Sequence, residues 1–155
     1  MKDTFDELCT CSMDELSAFC FLCTDDMKVL SDYFSCKNVK AGETLWEEGD
    51  SCDYVAFITE GRLQVKKETE FEGKQVIMGI YGKGAFVGEL CILDGSPRAL
   101  TARAQEDLSL VTITKENFER LIEQHPKLGT QLLKGMLLSV SKRLRKSFTR
   151  LASIF

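Results

Sequence analysis

A chain of 155 residues, 44% hydrophobic and 28% charged, has material for one packed domain and little room for two. No stretch approaches the roughly 18 uncharged apolar residues of a membrane-spanning helix, and the acidic start MKDTFDELC lacks the basic, apolar opening of a signal peptide. The net charge of −4 is unevenly spread: no acidic residue follows Glu123, while Lys127, Lys134, Lys142, Arg143, Arg145, Lys146 and Arg150 are all basic. Gly does not follow Met1 and the terminal ASIF has no nearby Cys, so no lipid anchor is expected and the chain reads as cytoplasmic. Seven cysteines, an odd number outside any small secreted framework, read as free thiols of a reducing compartment.

Residues 1–36 read as helical. Ser12 is a candidate N-cap with Glu15 at the capping-box position. Asp25 and Asp26 precede Met27, Val29, Leu30, Tyr33 and Phe34 at helical spacing. From Lys37 to Ile113 short β-branched and aromatic segments alternate with glycine turns at Gly42, Gly49, Gly61, Gly73 and Gly82–Gly84. The expected strands are Thr44–Trp46, Tyr54–Thr59, Arg62–Glu68, Gln75–Tyr81, Leu100–Ala104 and Leu108–Ile113. Such frequent turns suit an antiparallel roll, a jelly-roll-like barrel of about eight strands, better than βαβ units. Helix returns over residues 114–155, capped by Thr114, interrupted at His125-Pro126, and ending in a long helix from about Lys127 to Ala152. The whole reads as one α+β domain, helices then roll then helices.

The stretch Phe86–Ala102 carries the chemistry. Gly88 permits close backbone approach to a ligand. Glu89–Leu93 is long enough for one helical turn, whose leading N–H groups suit an anion. Asp94-Gly95-Ser96-Pro97 closes a tight turn, and Arg98 follows with a fork of donors matched to two oxygens of one phosphate. Glu89, an acceptor when ionised, can take a sugar hydroxyl proton in a hydrogen bond. The same residues also allow a plain structural turn in which Glu89 and Arg98 pair with each other.

Gly88-Glu89-Leu90, Ile92-Leu93, Pro97-Arg98-Ala99 and Thr101 resemble the phosphate-binding cassette of the cyclic-nucleotide-binding domain family, to which the catabolite activator protein and the regulatory subunits of protein kinase A belong. Ala41-Gly42-Glu43, Leu45 and Glu48-Gly49-Asp50 resemble that family's first hairpin, and Phe57–Leu63 its next strand-Gly-strand element; the likeness covers residues 26 to 150. The resemblance implies that Arg98 pairs with the cyclic phosphate and Glu89 accepts from the ribose 2′-hydroxyl. It implies that backbone amides near Gly88, Leu90 and Ala99 complete the phosphate contacts. Ala99 lacks the hydroxyl that in the family favours guanine, so cAMP is expected over cGMP. Two residues depart from the pattern: Cys91 replaces a common Ala, a small change, and Leu100 replaces a second small residue and can crowd the base or point into the core.

Cys9, Cys11, Cys20 and Cys23 allow a metal or iron–sulfur site, but buried free thiols acting as small hydrophobes fit their surroundings better. His125, the only histidine, precedes Pro126 at a helix break and reads as a capping or surface residue rather than a ligand or base, and no catalysis is expected. Leu133, Leu137, Val140, Leu144, Phe148 and Leu151 form a heptad-like seam that predicts homodimerisation through the last helix. The basic run Lys142–Arg150 reads as a solvated face, with nucleic acid or an acidic membrane as alternatives. Family transcription factors carry a helix-turn-helix after this helix; the chain stops at Phe155, so DNA binding is not expected. The sequence thus reads as a cAMP sensor signalling by movement of its last helix, with a ligand-free interaction domain or a cysteine-based redox or metal sensor as alternatives.

Overall fold

The computed structural model describes residues 17–19 and 21–155. After a 3-10 turn, Ser17–Phe19, the elements run α1 (Thr24–Leu30), β1 (Ser35–Val39), β2 (Thr44–Trp46), β3 (Tyr54–Glu60), β4 (Leu63–Glu68) and β5 (Gln75–Tyr81). Then follow β6 (Phe86–Val87), a second 3-10 turn (Glu89–Cys91), β7 (Thr101–Ala104), β8 (Leu108–Thr114), α2 (Lys115–Gln124) and α3 (Pro126–Ala152). The expected cap at Ser12 lies outside the described residues.

The strands form two four-stranded antiparallel sheets, ordered β1-β8-β3-β6 and β2-β7-β4-β5. The expected jelly-roll-like barrel is therefore an open roll: β5 pairs only with β4 and leaves the second sheet an edge. Ser35 and Cys36, expected in the leading helix, belong instead to β1, where Ser35 lies opposite Thr112 and Val39 opposite Leu108. Residues Ser35–Asn38 are exposed, so only pairing with distant β8 defines this strand, and no local pattern announces it.

The core explains why β3 reads as an unbroken apolar run from Tyr54 to Ile58. Along β3, Ala56 and Ile58 face the roll interior with Leu63, Ala102 and Leu110, while Val55 and Phe57 face a helix layer with Leu30, Phe118, Leu121 and Leu132. A strand covered on both faces has no polar side to alternate. The helix layer centres on Phe57, whose ring lies 5.1 Å from Phe19, 5.6 Å from Phe34 and 5.5 Å from Phe86. Burying each such ring stabilises the fold by about 1.5–3 kcal/mol.

The helices begin where sidechain chemistry starts them. Asp26 accepts from the Cys23 N–H at 2.9 Å across the start of α1, and Thr114 accepts from the Asn117 N–H at 3.1 Å at the start of α2. Pro126 opens α3, where its missing N–H has no partner to lose. Along α3 the buried stripe is Leu128, Leu132, Met136 and Ser139. The expected seam lies beside it: Leu133 and Val140 pack partly on the core, while Leu137, Leu144, Phe148 and Leu151 are exposed. No described helix is long and apolar enough to cross a membrane.

Gly135 sets how closely α3 approaches the first 3-10 turn. A Cβ there would stand 2.0 Å from the Ala18 carbonyl oxygen and 2.6 Å from its carbon, both backbone atoms. On a free helix surface Gly→Ala stabilises by roughly 1 kcal/mol; Gly135→Ala should instead destabilise by about 1–3 kcal/mol, as overpacking does. A lowered urea midpoint is the expected result, and a raised one would show that this contact does not position α3.

Candidate functional site

The site is built where β6 ends. Gly88 turns the chain with φ +89, and a Cβ there would stand 2.6 Å from Arg98 Nη1, 3.0 Å from Trp46 and 3.1 Å from the Tyr54 carbonyl oxygen. Only glycine fits that conformation and that space. The 3-10 turn Glu89–Cys91 follows, shorter than the expected Glu89–Leu93. Asp94 then shapes the return turn, accepting from the Ser96 N–H at 2.9 Å and its hydroxyl at 2.7 Å. Those bonds hold the Asp94 carboxyl below its ordinary pKa. The returning chain docks on the β2–β3 loop: Arg98 N–H donates to Asp50 O and Gly49 N–H to Arg98 O, each at 2.8 Å.

This docking directs the Arg98 side chain inward, leaving the residue only 3% exposed. Its Nη2 donates to the Tyr54 carbonyl at 2.7 Å and its Nη1 to the Gly88 carbonyl at 3.3 Å. The guanidinium carbon lies 3.8 Å from the Trp46 ring centre and 5.1 Å from that of Tyr54. Nε is buried and has no hydrogen-bond partner. No described carboxylate forms an ion pair with Arg98; Asp53 and Asp50 act on it only at longer range. Burial accordingly pulls its pKa below the usual guanidinium value, offset in part by Tyr54, Asp53 and Asp50. A buried cation answered by carbonyls, ring faces and the Cys91 sulfur at 3.8 Å, with no carboxylate paired to it, retains much of its desolvation penalty, which an anion would offset.

Glu89 does not pair with Arg98, which removes the plain structural turn built on that pair. Its Oε1 accepts from Arg143 Nη1 of α3 at 3.1 Å, with Arg143 23% and Glu89 14% exposed at the side chain. Arg143 also donates to the Phe86 carbonyl and lies over the rings of Tyr81 and Phe86, at 4.5 and 4.7 Å. Expected on a solvated face, Arg143 thus ties α3 to the cassette. Its signal was position: it continues the buried stripe Leu132, Met136, Ser139 by four residues.

A cavity of about 240 Å³ opens between these elements, and all five residues singled out in the sequence, Gly88, Glu89, Leu90, Arg98 and Ala99, line it. Trp46, Tyr81 and Leu100 join them, and α3 contributes Val140, Arg143, Leu144 and Ser147. Leu100 is half-buried and its carbonyl accepts from Trp46 Nε1 at 3.0 Å, fixing the indole beside Arg98. Thr101 is engaged structurally, accepting from the Glu48 N–H at 2.9 Å.

The expectation of free thiols fails at this site. Cys91 is bonded to Cys52 of the β2–β3 loop, with Cα atoms 5.9 Å apart. Cys91 is therefore not the small change it looked to be: it joins two segments 39 residues apart in sequence. Cys9, Cys11 and Cys20 lie outside the described residues, and Cys23 is an exposed free thiol. No three metal-binding side chains converge among the described residues.

A family model described as "Cyclic nucleotide-binding domain" matches residues 36–125. The chain is 33% identical over 96 residues to Lysophospholipase nte1 of Aspergillus terreus, a match covering 62% of this chain and 6% of that protein. In fold it is similar to a cyclic nucleotide-binding domain from Methylobacillus flagellatus, with TM-score 0.82 and 23% identity over 92% of this chain and 84% of the other. It is also similar to the Thermus thermophilus Catabolite Activator Protein, with TM-score 0.75 and 22% identity over 89% of this chain and 62% of the other.

Proposed function

The chain belongs to the cyclic nucleotide-binding domain family, and from that premise we propose that it binds cAMP in the Arg98 cavity and transmits occupancy through α3. The observation that carries this reading is the buried guanidinium with an unpartnered Nε and no ion pair. A cyclic phosphate supplies the missing charge and accepts from that donor. Glu89 retains acceptor capacity beyond its bond to Arg143 and takes the ribose 2′-hydroxyl. Ala99 offers no hydroxyl to a guanine, which favours cAMP over cGMP.

Signalling follows from where Glu89 is held. Glu89 both engages Arg143 through its carboxylate and lines the cavity, so a nucleotide bound there would alter the contact that anchors α3. Ligand and helix position are coupled only to the extent that the nucleotide binds two helix positions unequally. The exposed residues Leu137, Leu144, Phe148 and Leu151 support homodimerisation through α3, since a stripe of this kind seeks cover. The dimer predicts a sedimenting mass about twice 17.5 kDa that falls to 17.5 kDa in Phe148→Glu, Leu151→Glu; a wild-type monomer would refute it.

Calorimetry on refolded, ligand-stripped protein tests the nucleotide reading. A cAMP dissociation constant on the order of 1 μM or tighter is expected, with cGMP weaker. Arg98→Ala should lose about 100-fold, the equivalent of two hydrogen bonds to a charged group, while circular dichroism verifies that the variant is folded. Stronger cGMP binding would overturn the inference from Ala99. A folded wild-type protein silent to both nucleotides would favour a ligand-free interaction domain.

A further inference from the structure

Cys91 lines the cavity beside its only buried cation among the described residues, and its bond to Cys52 ties that wall to the β2–β3 loop. Arg98 Nη1 is 3.8 Å from Cys91 Sγ, and Gly88 O is 3.7 Å from the same sulfur. The two cysteines differ in access: Cys91 is 1% exposed, whereas Cys52 is half-buried in the loop that docks on Arg98. Cys52 is thus the more exposed partner, and the Cys91 sulfur sits against a fixed positive charge with no ion pair.

We propose that Cys52 and Cys91 form a redox-active pair that exchanges with small thiols and disulfides of the glutathione class and sets the charge available at Arg98. The consequence for nucleotide affinity rests on the functional reading above; the exchange itself does not. A thiolate RS⁻ attacks Sγ of the more exposed partner, Cys52, and forms a mixed disulfide. The Cys52–Cys91 bond breaks, and its electron pair leaves on Cys91 Sγ as a thiolate stabilised by Arg98. A second RS⁻ attacks the mixed disulfide and releases RSSR together with the Cys52 thiolate, which takes a proton. Overall the protein disulfide and two RSH give the Cys52 thiol, the Cys91 thiolate, one proton and RSSR; oxidation is the reverse.

The two states present different sites. Oxidised, the sulfurs carry no charge and the guanidinium is open to an anionic ligand. The disulfide also fixes the cassette to the β2–β3 loop, which lowers the ordering that binding requires. Reduced, the Cys91 thiolate occupies the electrostatic partnership a phosphate would take. Oxidised protein therefore binds cAMP more tightly, by about tenfold, a typical coupling factor. By the same linkage bound cAMP favours the disulfide by an equal factor.

The full chain, equilibrated in glutathione buffers of varied redox poise, provides the test. Acid-quenched alkylation with peptide mapping reads the pair. Trp46, the single tryptophan, reads the charge state beside Arg98 without any ligand. Expected are a reversible Cys52–Cys91 transition, a change in Trp46 emission that tracks it, and weaker cAMP binding on reduction. Cys52→Ser should behave as reduced protein in every buffer, and Cys91→Ser should lose the ultraviolet thiolate absorbance of the reduced form. Failure of the pair to form at oxidising poise overturns the proposal, as does a transition that leaves both Trp46 emission and cAMP affinity unchanged. If Trp46 tracks the transition but cAMP binds neither state, the redox pair stands and the nucleotide reading falls.

Discussion

The guanidinium of Arg98 is withdrawn almost wholly from water, yet its donors meet the carbonyls of Tyr54 and Gly88 and the Cys91 sulfur, with the Trp46 and Tyr54 rings beside it, and no carboxylate. Folding an ion into such a place is costly unless it is paired, and the surrounding structure is arranged around keeping it there. Gly88 leaves room for Nη1. The short backbone pairing of Arg98 with Gly49 and Asp50 fixes where the side chain starts. Leu100 holds the indole that covers the guanidinium. Fixed carbonyls, rings and backbone thus hold a buried charge in place, which suits the anion-binding role proposed for it.

Around this charge, the second arginine explains why a roll and a helix act together. Arg143 reaches from α3 to the Glu89 carboxylate and the Phe86 carbonyl, so the last helix is anchored to the segment that lines the cavity. The packing of α3 on the first 3-10 turn through Gly135 and on the core through Leu132 and Met136 fixes its other end. The proposed nucleotide contact at Glu89 would therefore reach α3 through Arg143 while the packing at Leu132, Gly135 and Met136 stays in place, a geometry suited to the hinge-like response proposed for it.

Much of this was legible in the sequence because it rests on local chemistry. Each of the five glycine-bearing turns separates two strands, Thr114 caps its helix, and Pro126 starts the next. The cassette residues gathered in one cavity because they are contiguous. What was hidden depends on distant partners. β1 exists through β8, Arg143 finds Glu89 across 54 residues, and Cys91 finds Cys52 across 39. The α3 stripes were misordered for a related reason: the helix has two apolar faces, and only tertiary packing decides that Leu128, Leu132 and Met136 turn inward while Leu144 and Phe148 turn out. Trp46 gave no sign of its role, since a lone aromatic in a short strand reads as ordinary core.

If the proposed site is right, a phosphate completes the bonding of Arg98 Nε. In a crystal structure of the oxidised protein with cAMP, a phosphate oxygen should lie about 3 Å from Arg98 Nε, with the ribose hydroxyl on Glu89. A nucleotide bound elsewhere, with Nε still unpartnered, would rule this out.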